Sequence, residues 1–253
     1  MRNESIIKRL PIVDVFDPPY EVWSRRQLSE AERLSHFEEY KYFIFEVDSE
    51  LEKSIDAAFS AAVHMAEVRS DNALENFIDD ALGDSSAMKV VRSIMPDKTP
   101  KSLARYQTHY PYYDPVKVNK EIQEHGAIFD DGQFLFHGGG WPDDAEEFVT
   151  DRPLSTSFCP QIALRNAEYK GKAYDLERVD LIVLRTSGAK CHAYVFGSEG
   201  EMKHEKEVVF SAGAKLKLVS RTFIQEATVS KLDANLDPLH ALVPYYVIEA
   251  EIC

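Results

Sequence analysis

Glu205 and Glu207 flank Lys206 and run straight into Val208-Val209-Phe210. Successive strand side chains point to opposite faces, so a strand here projects the two carboxylates side by side, followed by Val209. Like charges held together cost stability. One of two close carboxyls also tends to have its pKa raised, giving a group that takes a proton near neutrality. Chemistry on a cationic or sugar substrate is one use for such a pair; solvation at a sheet end is the other. The pair decides nothing by itself. With 43 acidic residues in 253, about seven acid-x-acid pairs arise by chance.

Two further signals lie upstream. Phe134-Leu135-Phe136-His137-Gly138-Gly139-Gly140-Trp141 reads as an apolar strand that delivers a histidine to its end, where glycines let a ligand approach the backbone. A glycine turn with an incidental histidine is the plainer alternative. Arg152-Pro153-Leu154-Ser155-Thr156-Ser157-Phe158 puts small hydroxyls on a strand end, where they hold neighbouring carboxylates and ligand hydroxyls by hydrogen bonds. Ser-Thr-Ser is also a common loop composition.

Elements able to position these residues follow from periodicity. The first hundred residues read as helical. Ser29-x-x-Glu32 and Ser49-x-x-Glu52 are capping-box patterns. After the second, Leu51, Ile55, Ala58, Phe59, Ala62, Val63 and Ala66 recur at helical spacing. A short helix fits Leu74, Phe77, Ile78, Ala81 and Leu82, ended by Gly83. Phe37, Tyr40, Tyr42, Phe43 and Phe45 read as core. Pro96 to Pro100 reads as a hinge and Tyr110 to Pro115 as loop or extended chain. Beyond it the expected strands are 133–136, 179–185, 192–196, 205–210, 214–219, 222–229 and 243–252. Gly197 to His204 reads as a mobile loop before the acidic pair. Tyr194 and Phe196 read as buried strand positions ahead of a gating role. Pro160 suits the first turn of a helix carrying Ile162, Ala163, Leu164 and Ala167. Helices first, then a mostly antiparallel sheet, makes the fold class α+β.

Bulk composition narrows the function classes. The length accommodates one large domain or two small ones. A net charge of −14 provides no basic field to gather phosphates, which disfavours generic nucleic-acid or anionic-membrane binding. Cys159, Cys191 and Cys253 are too scattered for a disulfide framework or a zinc site. The N-terminus lacks a continuous apolar region with a cleavage site, and no apolar run reaches membrane-spanning length. The expectation is a soluble protein, cytoplasmic where it is made.

Taken together and in order, strand-His-Gly, Ser-Thr-Ser before a helix, and a turn-rich loop ending in Glu-x-Glu resemble the mono-ADP-ribosyltransferases. The nearest pattern is their Arg-Ser-Glu branch, over roughly residues 134–219. Arg152-Pro153-Leu154-Ser155-Thr156-Ser157-Phe158-x-Pro160-x-x-Ala163 is similar to that family's second motif, and Glu205-x-Glu207-Val208-Val209-Phe210-x-x-Gly213 to its third. One departure stands out. The first motif of that branch carries an arginine that steadies the NAD phosphates and ribose, where this chain has His137. The diphtheria-toxin and poly-ADP-ribosyltransferase branch does use histidine followed by glycine, but without Ser-Thr-Ser. The chain thus resembles a hybrid, in which Arg105 or Arg152 would substitute for the missing arginine.

The resemblance implies a helical part over 1–100, then a split antiparallel β-sandwich over 101–253. It implies NAD as co-substrate, with no metal. Breaking the bond from ribose to nicotinamide leaves an oxocarbenium-like sugar, which a nearby carboxylate stabilises. By similarity Glu207 would hold the ribose 2′-hydroxyl and support that cation. Ser155 would position Glu207, with Thr156 and Ser157 shaping the strand and, like His137 and Gly138, counted among the NAD-binding residues. His137 would contact an NAD ribose, and the Gly138 backbone the nicotinamide carboxamide. Glu205 would orient or deprotonate the acceptor; a glutamate there goes with arginine acceptors in the family. The implied protein is a bacterial toxin or effector with a protein target, delivered by a dedicated secretion system or kept in the cytoplasm, with an antitoxin or chaperone as partner and no membrane. RNA or DNA as acceptor, NAD glycohydrolysis, and a non-catalytic binding module are the alternatives.

Overall fold

The computed structural model describes residues 9–197 and 206–253. Residues 16–57 cluster as one compact unit and the remainder as another. β1 (Arg9–Leu10) belongs to the larger unit.

In the smaller unit β2 (Tyr20–Gln27) precedes α1 (Glu30–Tyr40), and β3 (Glu46–Ile55) returns antiparallel to β2. The capping box of α1 forms as its pattern predicts: the Glu32 backbone N–H donates to the Ser29 hydroxyl and the Ser29 N–H to the Glu32 carboxylate at 2.9 Å. The second box does not form. Residues 46–55 are strand because their backbone pairs with β2, Leu51 lying opposite Trp23 and Lys53 opposite Val22, while Ser49 Oγ meets Ser24 Oγ at 2.8 Å. The helix expected after it starts only at Ala58. The aromatic run is likewise not core. Phe37, Tyr40, Tyr42, Phe43 and Phe45 are all exposed, and α1 buries no residue. Phe37 instead stacks on Phe43 with centroids 4.5 Å apart, and Tyr40 meets Tyr42 at 6.3 Å. One short helix and two strands enclose too little volume to hide them.

The larger unit continues with α2 (Ala58–Val68), whose buried stripe is Ala58, Ala61, Ala62, Met65 and Ala66, joined by His64. α3 (Asn72–Asp84) is capped by Asp71, which accepts from the Ala73 and Leu74 amides. It runs past Gly83 because Ser85 both ends it and caps α4 (Ser86–Ile94). α5 (Lys101–Thr108) and α6 (Pro115–His125) follow, joined through the expected loop. α6 itself is absent from the sequence reading. Asp114-Pro115 reads as a chain break, yet the same pair is an N-cap and a first-turn proline, and Val118 and Ile122 bury one face.

The remaining elements are β4 (Ile128–Phe129), β5 (Phe134–Gly138), β6 (Glu147–Val149), β7 (Leu154–Ser157), α7 (Pro160–Glu168), α8 (Lys172–Asp175), β8 (Val179–Thr186), β9 (Ala193–Val195), β10 (Glu207–Phe210), β11 (Lys215–Leu232) and β12 (Pro238–Ile252). β1 pairs parallel with β4. Eight strands form one sheet in the order β6-β11-β12-β8-β5-β7-β10-β9. All its neighbours are antiparallel except β12 and β8. The two strands expected over 214–229 are one strand, β11, bent by register shifts near Ser220 and Gln225. Tyr194 and Phe196 are buried, as expected. The α+β class holds, with strands in the N-terminal part as well. Among the described residues no helix is long and apolar enough to cross a membrane.

Candidate active site

Sheet order explains how distant segments meet. β7 lies between β5 and β10, and Ser157 faces both neighbours, opposite Phe136 on β5 and Glu207 on β10. Alternation puts Ser155, Ser157, Glu207 and Val209 on one face. Ser155 is the diagonal neighbour of Glu207, within side-chain reach. Its Oγ donates to Glu207 Oε1 at 2.6 Å. Glu207 is 6% exposed, so this charge-assisted bond forms where water screens it little.

His137 comes from β5. Its Nδ1 lies 2.7 Å from the Ser155 carbonyl. A carbonyl only accepts, so Nδ1 carries the proton and Nε2 of the neutral ring is an acceptor. Burial holds the imidazole below its ordinary pKa of 6.5, opposed by the Ser155 carbonyl, while the nearby Lys172 and Arg152 charges push it down further. A side chain on Gly139 would sit 2.6 Å from His137 Nε2, so glycine there keeps that nitrogen uncovered. A Cβ on Gly138 would fall 1.7 Å from the Ala163 carbonyl oxygen of α7. That contact is a packing requirement, separate from any ligand.

The loop after His137 is tied down from β8. Asp180 Oδ2 accepts from the Trp141 amide at 2.8 Å and from Arg178 Nε at 3.0 Å, and Arg178 in turn donates to the Trp141 carbonyl at 2.6 Å.

Two of the expected cofactor-binding hydroxyls are committed to the protein. Thr156 sits on the opposite face and donates to the Val208 carbonyl at 2.8 Å. Ser157 Oγ accepts from the Cys159 amide at 3.1 Å, at the turn into α7. Ser155, Glu207 and His137 converge; the other two support the strands around them.

The acidic pair needs a correction. β10 starts at Glu207, and Lys206 has φ 49°, outside strand geometry. Simple strand alternation therefore does not relate Glu205 to Glu207. Glu205 and residues 198–204 of the expected loop lie outside the described residues. The Lys206 ammonium turns into the protein, its side chain 2% exposed, 3.1 Å from Asp79 and 3.6 Å from Glu75 of α3.

One contact at the site comes from α5, which the motifs do not include: Gln107 Nε2 donates to Glu207 Oε2 at 3.4 Å. Its neighbour Tyr106 is buried. Arg105, an expected phosphate anchor, donates through Nε to the Tyr112 carbonyl at 3.1 Å. Arg152 lies near His137. A concavity of about 590 Å³ lined by Gln123, Lys190, Cys191, His192, Lys215 and Cys253 among others lies elsewhere, and none of the converging residues lines it. Among the described residues no group of three or more His, Cys, Asp or Glu is placed to hold a metal.

No family model and no curated protein matches the chain. Solved structures do match at low identity. The Vis toxin, an ADP-ribosyltransferase from Vibrio splendidus, is 13% identical with a TM-score of 0.32, covering 90% of this chain and 88% of that one. The ADP-ribosylating toxin BECa of C. perfringens, solved with NADH, is 11% identical with a TM-score of 0.35, covering 78% of this chain and 49% of that one. C3larvin toxin, an ADP-ribosyltransferase from Paenibacillus larvae, is 9% identical with a TM-score of 0.30, covering 76% and 92%. Superposition at this level leaves the reading of the site to its own geometry.

Proposed function

We propose that the chain is a NAD-dependent mono-ADP-ribosyltransferase acting on a protein, with arginine as acceptor, and that it serves as a bacterial toxin or effector. One observation carries the reading: Ser155 Oγ meets Glu207 Oε1 at 2.6 Å while His137 bonds the Ser155 carbonyl at 2.7 Å. These residues stand far apart along the chain, and a carboxylate, a hydroxyl and a neutral imidazole are what a ribose under cleavage needs around it. The same reading takes the eight-stranded sheet as the family's split sandwich and residues 101–253 as the catalytic part.

In this reaction the bond from ribose C1′ to the nicotinamide nitrogen breaks, and its electron pair leaves with nicotinamide. Glu207 offsets the positive charge left on the sugar, in a site dry enough for that charge to be felt strongly. An acceptor nitrogen then bonds to C1′ and gives up its proton, in the proposal to Glu205. His137 Nε2 accepts from a ribose hydroxyl. Arg152 anchors the phosphates in place of the missing first-motif arginine, since it lies near His137 while Arg105 is already bonded to backbone.

The test is incubation with labelled NAD and cell lysate, followed by parallel protease and nuclease digestion. Label released by protease is the expected outcome. Label released by nuclease moves the acceptor to a nucleic acid, and nicotinamide release with no transfer makes the protein a glycohydrolase. If the protein neither binds NAD nor releases nicotinamide, it is no enzyme of this kind.

A further inference from the structure

We propose that Gln107 of α5 is a positioning residue that, together with Ser155, clamps the carboxylate of Glu207. The catalytic consequence rests on the transferase reading above; the clamp itself rests only on geometry.

Strand packing fixes where the Glu207 side chain begins but not the plane of its carboxylate, because the last torsion of a glutamate is broad. A donor on each oxygen sets that plane. Ser155 supplies one at 2.6 Å and Gln107 the other at 3.4 Å. The second bond is long, as catalytic hydrogen bonds often are before substrate tightens a site.

α5 is seated to do this. Tyr106 is 5% exposed, and its ring meets Tyr113 edge-on with centroids 4.7 Å apart. Glu121 of α6 accepts from the Ser102 and Leu103 amides at 3.1 and 2.9 Å, capping the start of the helix. Gln107 belongs to none of the motifs, yet it reaches Oε2 of the acid while Ser155 holds Oε1.

Two measurements on wild type, Gln107→Ala and Gln107→Met test the clamp. The first follows the Glu207 side-chain carboxyl carbon by 13C NMR across acid pH, without any turnover. Losing a donor to the carboxylate disfavours its charged form, so the midpoint should move up by about 0.5 or more in each variant. The second measures nicotinamide release from NAD, where kcat should fall about tenfold in each variant with KM within twofold. Gln107→Met keeps the length of the side chain, and its melting temperature should stay within about 3 °C of wild type. Titration midpoints equal to wild type in both variants overturn the clamp. Shifted midpoints with no nicotinamide release by wild type leave the clamp standing and remove the enzyme reading. Shifted midpoints with unchanged kcat overturn its catalytic consequence.

Discussion

Glu207 and His137 lie in different electrostatic surroundings. The acid receives donors on both oxygens, whereas burial keeps the imidazole neutral. Glu207→Gln retains shape and removes charge, so nicotinamide release should drop by about 100-fold or more, with the melting temperature little changed. Stability near pH 6 tests His137. Its folded pKa lies below 6.5, so between that value and 6.5 the unfolded chain binds the extra proton and the folded one does not. Stability should therefore fall as pH drops below about 6.5, a loss that levels off once the folded imidazole also titrates. His137→Gln should flatten this part of a melting-temperature profile taken from pH 8 to about pH 5. An unchanged slope would mean that His137 takes up its proton alike in the folded and the unfolded chain.

Elements rather than motifs decide whether these side chains meet. β7 brings Ser155 between two partners, and α5 reaches them from a different part of the chain. Glu121 caps α5 from α6, so Glu121→Ala should cost about 1 kcal/mol of stability, measured by urea unfolding, and should lower nicotinamide release without touching any residue of the site. Legibility at this scale was uneven for physical reasons. Ser29-x-x-Glu32 and Ser49-x-x-Glu52 are the same pattern. Only the first caps a helix, because the backbone of the second pairs with β2. The longer strands after residue 133 follow from apolar alternation, which is local information, whereas β2 and β3 fall where the sequence reads as helical. Ser155, Glu207 and His137 were found through ordered motifs. Gln107 was not: a single glutamine has no pattern, and its partner is 100 residues away. Lys206 was missed because burial of a lysine against Glu75 and Asp79 depends on where α3 packs.

Across the whole chain, charge and exposed apolar surface point in different directions. A net charge of −14 suits a protein acceptor better than a nucleic acid, since few phosphates are held without a basic field. The unit formed by residues 16–57 carries its aromatic side chains outward, Phe43 at 50% and Phe45 at 59% exposure. Replacing both with serine should change stability by less than about 0.5 kcal/mol per site and leave nicotinamide release from free NAD intact. A loss of several kcal/mol on calorimetry would show that these rings are core after all.

Gly138 sets a spacing with an evolutionary edge. The helix carbonyl of Ala163 occupies the place where any methyl group would begin, so strand and helix rest against each other with no cushion between them. A lineage that gained even one carbon at this position would have to push the α7 backbone outward, and the imidazole next door would drift with the strand. The two segments, 25 positions apart, are thus bound to vary as a couple, and homologues with a larger residue at 138 should show a displaced or reshaped α7.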